Sequence, residues 1–483
     1  MQNSKAVKAG IGYTVGNYLL KGLTFFTIPI FAKLLSTEDY GIVGTFSSYE
    51  TILLVLIGLA IHSSFKNARY KYGYVAEGAV PGNDYKTYVS NAYLFILISG
   101  LMWFVLAAGL RNVLAGPLKI DPSLVVLLVI YSTANAVIVA FNTDISINYE
   151  YKSYLRISFF NAIGNILLSV LLILYVYQAQ RYKGRIIGTI IPIAAAAAYV
   201  AAKSLIKTRP QNFRSMMRWG LKYSLPIVPH GISQIILSSF DRIMITNMVS
   251  AAATGIYSFA YNVFIIIQVT ATSLDTVWSP WYYERRNAED FGAIRKVSGL
   301  YIRFLMVISA AVMLMAPEIV WILELGGGKF RESVPCVIPI VAGGFFAFLY
   351  YIPASVEYYH EKTNYIAAAT SAAAILNILL NYIFIRKYGY IAAAYTTLAT
   401  YFLYFVFHWF VAKKIEGKSL FPAGDVVLSS AVIGVAVVLS AALVNVLWVR
   451  IALTAGLLAW FLYEEETRFG LLKKAMKKIK HQE

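Results

Sequence analysis

Among the ionisable side chains inside long apolar stretches of this sequence are Lys21, Glu50, Asp241, Arg242 and Asp275. A charge placed there is costly, so it either meets a partner or faces a wet cavity. Lys21 and Glu50 each lie about 12 residues from the same end of two consecutive stretches, which puts both at ~18 Å depth on a helix. Two readings follow. They form an ion pair that neutralises both, or Lys21 meets an anionic ligand while Glu50 is its resting partner or a protonatable switch. Asp241 and Arg242 are adjacent, so on a helix they do not face each other. Arg242 offers a bidentate fork to phosphate, which a lysine cannot, or it snorkels to the interface. Asp275 lies near the end of its stretch and is interfacial or a second coupling carboxylate. The amides Asn17, Asn161, Asn165 and Asn377 are mid-stretch, where they bond neighbouring helices or contact a ligand.

Enzyme chemistry has little support. His360-Glu361-Lys362-Thr363-Asn364 starts like a zinc-protease motif but has Asn where the second His is needed. Gly326-Gly327-Gly328-Lys329-Phe330 lacks the first glycine of a phosphate loop, and Phe330 replaces its Ser or Thr. Five His and the single Cys336 are scattered, so neither a metal cluster nor an intramolecular disulfide is expected. No cofactor is implied.

The elements that position these residues are membrane helices. Hydrophobic residues make up 59% of 483 and charged residues 14%, which excludes an ordinary soluble domain. Fourteen apolar runs are legible, near 9–32, 40–62, 88–110, 123–143, 157–178, 185–205, 222–248, 252–277, 298–323, 334–356, 364–385, 389–412, 425–447 and 449–463. Most can cross a bilayer, and continuous rather than alternating apolarity favours helices over a barrel. The expected class is an all-α polytopic membrane protein with about 14 spans. The net charge of +18 reads as positive-inside loops, not as nucleic-acid binding. The N-terminus, even-numbered loops and C-terminus carry about 29 of the 42 Lys and Arg, and the odd loops about 11. Both termini are therefore expected in the cytoplasm. Lys203–Lys222 and the tail from Arg468 to Lys480, six basic residues each, are expected against the anionic inner leaflet.

The sequence also repeats. Ser36, Gly41 and Ile42 recur as Ser250, Gly255 and Ile256 at one offset, and Asn165-Ile166-Leu167-Leu168 recurs as Asn377-Ile378-Leu379-Leu380. Each repeat holds six spans, so the two are parallel repeats about an axis along the membrane normal. The expected parts are 1–210, 211–420, and 421–483 with two further spans and the tail. Pro29, Pro226 and Pro229 fall in the first helix of each repeat and are expected to permit bending. The aromatic, charged stretch Ser279–Arg286 is expected to lie as an interfacial amphipathic helix.

Two stretches bear a family resemblance. Leu34-Leu35-Ser36-Thr37-Glu38-Asp39-Tyr40-Gly41-Ile42-Val43-Gly44 resembles the first inter-helix signature of bacterial polysaccharide transporters. The stretch Asn377 to Ala394 resembles their span 11–12 signature, with Arg386 where members usually have proline. With the spacing of the spans, the chain resembles the O-antigen flippase (Wzx) group of the multidrug/oligosaccharidyl-lipid/polysaccharide exporter superfamily. The resemblance implies translocation of an undecaprenyl-pyrophosphate-linked oligosaccharide across the bacterial inner membrane, by alternating access through a cationic cavity. Lys21, Arg242, Asn17 and Asn165 are then the candidate substrate contacts, and Glu50, Asp241 and Asp275 the candidate coupling or pairing groups. The partners implied are the lipid-linked oligosaccharide, the bilayer and other polysaccharide-assembly membrane proteins. Three alternatives stay open: a lipid II flippase, a drug antiporter of the same fold, and a membrane polymerase or ligase.

Overall fold

In lipid a backbone must satisfy its own hydrogen bonds, and continuous apolar runs do so as helices. The computed structural model describes residues 2–470, and no strand occurs among them. In chain order the helices are α1 (Gln2–Leu34), α2 (Thr37–Gly58), α3 (Phe65–Tyr72), α4 (Tyr85–Leu118), α5 (Pro122–Ile147), α6 (Tyr151–Leu171), α7 (Arg181–Lys207), α8 (Phe213–Ser224), α9 (Val228–Met248), α10 (Ala251–Asn287), α11 (Phe291–Leu314), α12 (Ala316–Leu323), α13 (Val334–Leu349), α14 (Tyr351–Tyr359), α15 (Thr363–Tyr388), α16 (Ile391–Glu416), α17 (Ala423–Ala442) and α18 (Leu447–Phe469). Taking α13 with α14, 13 helical segments among the described residues are long and apolar enough to span a membrane. The remaining expected run, 222–248, is interrupted. α8 stops at Ser224, a 3-10 turn covers Leu225–Ile227, and α9 begins at Val228. Pro226 and Pro229 cause the break, since each lacks a donor and crowds the carbonyl four residues back. α1, by contrast, runs unbroken past Pro29. The second half of the basic stretch Lys203–Lys222 is the amphipathic helix α8, which buries Met216, Met217 and Gly220. The expected basic tail from Lys473 onward lies outside the described residues.

Packing divides the chain into two units, 1–255 and 256–483. α9 belongs with the first because it packs along α2, and α17 and α18 join the second because both pack on α11. In the first unit α2, α4, α5 and α7 enclose a core that includes Phe46, Tyr88, Leu124, Val137 and Ile190, and α1 packs along α6. Alternate connections gather at opposite ends of this unit. At one end Arg181 Nη1 donates to Leu34 O at 2.8 Å, and Lys183 pairs with Asp121 at 3.0 Å. The Ser123 hydroxyl, aided by Lys183, holds the Asp121 carboxyl down at about 2, so this cap of α5 stays ionised. At the other end Asn91 Nδ2 donates to Gln211 O at 2.7 Å, and Tyr74 OH donates to Asn148.

In the second unit the stretch Ser279–Arg286 is not a separate helix. It is the continuous last turns of α10, with Tyr282 fully buried and Trp278 Nε1 donating to Ser355 Oγ at 2.8 Å. Tyr282 faces a protein core while Tyr283 is exposed, and Arg286 ends on Glu416 at 3.0 Å. Arg303 on α11 is buried between two carboxylates, Asp425 of α17 and Glu465 of α18, each at 2.6 Å. Replacing Arg303 with Met strands both carboxylates, a loss of about 3–5 kcal/mol. The expected result is a markedly lower melting temperature in detergent, and an unchanged one would show that α17 and α18 dock without this cluster.

Candidate functional site

Helices α6 and α7 touch at backbone distance because α7 presents Gly184 and Gly188 one turn apart. A Cβ on Gly188 would fall 2.5 Å from the Ser169 backbone, and one on Gly184 would fall 2.9 Å from Ile173 N. This is the small-residue seam by which membrane helices approach closely. It draws Arg185, the residue after Gly184, against α6. Arg185 Nη1 donates to Asn165 Oδ1, to Ser169 Oγ at 2.9 Å and to Thr189 Oγ1 at 3.1 Å. The guanidinium lies 3.9 Å from the ring centroid of Phe31 on α1. No carboxylate pairs with it among the described residues. Arginine does not give up its proton, so this is a lasting positive charge inside the bundle, held by neutral oxygens and an aromatic face. The helix opposite is irregular, since α6 continues through a π-turn at Leu172–Val176. Such turns are frequent at functional sites.

The second unit repeats this contact without the cation. Asn377 Nδ2 donates to Thr397 Oγ1 at 3.3 Å, and Asn381 Nδ2 donates to Asn377 Oδ1 at 3.0 Å. The positions correspond at one offset: 377 − 165, 381 − 169 and 397 − 185 are each 212. The repeated asparagine therefore does the same job twice, joining consecutive helices, and Arg185 stands where the other copy has Thr397.

Among the residues expected from sequence, the structure brings Asn165 into this site. Glu50 is 7% exposed on α2 and accepts from Asn135 Nδ2 of α5 at 2.8 Å, so its hydrogen-bond partner is an amide rather than Lys21. Lys21 is exposed on α1. The two helices are consecutive, but α1 packs on α6 whereas α2 packs on α5, α7 and α9. Tyr131 lies within electrostatic reach of both Glu50 and Arg185. Asn17 accepts from Tyr154 OH. Asp241 is buried and accepts the Arg242 backbone amide at 2.9 Å, and Arg242 is half-buried. Asp275, in the middle of α10, accepts from Ser279 Oγ at 3.2 Å. Arg185 was missed because it stands close to the start of its apolar run. The signal for it is Gly184-Arg185-Ile186-Ile187-Gly188, a cation inside a close-packing pair of glycines.

The other repeated signal is also explained. Ser36 Oγ caps α2 by accepting the Asp39 amide at 3.0 Å, and Ser250 Oγ accepts the Ala253 amide at 3.1 Å where α10 starts. The two helix starts press together through Gly41 and Gly255. A Cβ on Gly41 would fall 1.7 Å from Ala251 O, and one on Gly255 would fall 1.8 Å from Thr37 O. Beside them Thr45, Thr246 and Thr254 form a buried hydroxyl chain at 2.6 and 2.7 Å.

Span-length helices around buried, hydrogen-bonded polar groups define the class, a polytopic membrane protein of transporter build. Residues 6–284 match the family described as polysaccharide biosynthesis protein, and the chain belongs to that family. A Haemophilus influenzae protein named for its Lsg locus is 21% identical over 386 residues, 77% of this chain and 90% of its own. The fold is that of the multidrug/oligosaccharidyl-lipid/polysaccharide exporters. The lipid II flippase MurJ, in an inward closed conformation, is similar with a TM-score of 0.71 at 15% identity, covering 95% of this chain and 99% of that one. An inward-facing multidrug resistance transporter of the MATE family is similar with a TM-score of 0.63 at 13% identity, covering 82% and 94%.

Proposed function

We propose that this protein is a flippase that moves a lipid-linked oligosaccharide bearing pyrophosphate across the bacterial inner membrane, by alternating access. The undecaprenyl-pyrophosphate carrier and an O-antigen or similar repeat unit are the substrate the reading specifies, with passage toward the outer leaflet and both termini in the cytoplasm. The repeats 1–210 and 211–420 serve as the two moving lobes, and 421–483 as an added pair of spans with a basic tail. The observation that carries the reading is Arg185, a half-buried guanidinium held by neutral groups in a chain of the polysaccharide biosynthesis family. A charge of this kind suits a ligand that is anionic where it enters the protein, and a pyrophosphate is such a ligand. Lys21, Arg242, Asn17 and Asn165 are proposed as further substrate contacts. Glu50, Asp241 and Asp275 are proposed as coupling or pairing groups.

The fold shared with a lipid II flippase and with drug transporters supports two rival substrates. Vesicles carrying the purified protein, given fluorescent lipid-linked oligosaccharide, lipid II or a cationic dye in separate arms, decide among them. Movement of intact lipid-linked oligosaccharide between leaflets is expected, with its glycan unchanged, and a lengthened or transferred glycan would make the protein an enzyme instead. In the same assay Lys21→Ala should lower the flipping rate at least about tenfold while Lys21→Arg keeps part of it. A normal rate in Lys21→Ala would remove Lys21 from the substrate path.

A further inference from the structure

The end of the first unit away from Arg185 holds a cavity of ≈ 740 Å³, within the roughly 300–1,000 Å³ typical of small-molecule sites. It lies where α4 and α6 begin and α5 and α7 end. Its floor is a connected polar cluster. Tyr74 OH donates to Asn148 Oδ1, Asn148 Nδ2 donates to Asp144 Oδ1 at 3.0 Å, and Tyr85 OH donates to the same oxygen at 3.0 Å. Asp144 Oδ2 accepts no hydrogen bond among the described residues. Burial pushes the Tyr74 phenol up to about 12, so it remains a donor at any physiological pH.

The rim is cationic. Lys86, Arg156, Lys203 and Lys207 line it, all on exposed positions. The acids that share the lining are mostly engaged. Asp84 caps α4 and accepts from Thr87 Oγ1 at 2.9 Å, and Glu77 is forked by Arg69 at 2.5 and 2.8 Å. Lys203 stands 5.6 Å from the Tyr199 ring centroid and Lys86 5.7 Å from that of Tyr74, so tyrosine faces and ammonium groups adjoin.

We propose that this cavity is a binding site for a phosphorylated saccharide. Aromatic faces suit the C–H face of a pyranose, and Asp144 Oδ2 can accept from a sugar hydroxyl. The amide and phenols of the floor supply further hydrogen bonds. The lysines and Arg156 then meet the phosphate at the mouth. The site is separate from Arg185, since Arg185 and Lys203 stand 18 positions apart on α7, about 27 Å along the helix. A soluble glycosyl phosphate and the headgroup of a lipid-linked sugar share this chemistry. Only the second would make the cavity a loading station for transport, and that role rests on the flippase reading. Binding itself does not.

The test uses the full chain in nanodiscs and calorimetric titration with three probes: UDP-N-acetylglucosamine, polyprenyl-pyrophosphoryl-N-acetylglucosamine, and inorganic pyrophosphate. Saturable binding of one or both glycosyl probes is expected, and which of them binds identifies the source. The exposed pair Lys203→Gln with Lys207→Gln, which leaves the core untouched, should weaken it about tenfold. Asp144→Asn should weaken glycosyl binding while sparing pyrophosphate. No saturable binding of either glycosyl probe would overturn the proposal, as would affinities that both sets of variants leave unchanged. Pyrophosphate binding as tightly as the glycosyl probes, with Asp144→Asn silent, would reduce the cavity to a phosphate site and also overturn it. Binding without flipping would remove the transport function and leave this site standing.

Discussion

Arg185→Gln is expected to insert and fold, yet to flip lipid-linked oligosaccharide roughly 10- to 100-fold more slowly than the native chain. The size follows from losing one charge-assisted contact to an anionic headgroup, about 1.5–3 kcal/mol. Glutamine keeps a donor for Asn165 and Ser169, so the α6–α7 seam built on Gly184 and Gly188 survives. Arg185→Lys keeps the charge but loses the planar fork, and should recover part of the rate. Melting temperature separates this from a packing role. If Arg185 only ties α6 to α7, Arg185→Gln lowers the melting temperature and leaves flipping per folded molecule intact, and the proposed role of this cation is then wrong.

The second large effect is at the paired glycines. Gly41→Val and Gly255→Val should each stop transport and lower the melting temperature. Overpacking in a core costs roughly 1–3 kcal/mol. Here the collision is with backbone, at 1.7 and 1.8 Å, where no side chain can swing aside. The starts of α2 and α10 would have to part, and with them the Thr45–Thr246–Thr254 chain. Even Gly41→Ala should be defective, because its single added carbon would already lie 1.7 Å from Ala251 O. A Gly41→Ala protein with native melting temperature and native flipping would show that the two helix starts are not held together in the working protein.

The membrane class was legible from apolarity alone, because the hydrocarbon core demands run lengths that sequence states outright. The recurrence of Ser36 and Gly41 as Ser250 and Gly255 was legible as well. That both serines cap a helix start came from the structure. The break before α9 falls at Pro226 and Pro229, which the sequence marked only as sites of bending, whereas Pro29 leaves α1 unbroken.

Pairing was not legible. Glu50 meets Asn135 because α2 packs on α5, and nothing in the sequence of α1 and α2 states that these consecutive helices take different principal neighbours. The aromatic end of α10 has the composition of an interfacial anchor, and only the tertiary structure shows that Trp278 and Tyr282 pack into a core. Arg185 and Arg303 look like any other arginine near a span. One becomes a cation held by neutral groups and the other a neutralised anchor, according to whether the helix opposite carries amide and hydroxyl or carboxylates. Run length and caps are set locally along the chain, so the sequence by itself determined them. Which charge is answered, and by what, depends on neighbours distant in sequence, and only the tertiary structure decided it.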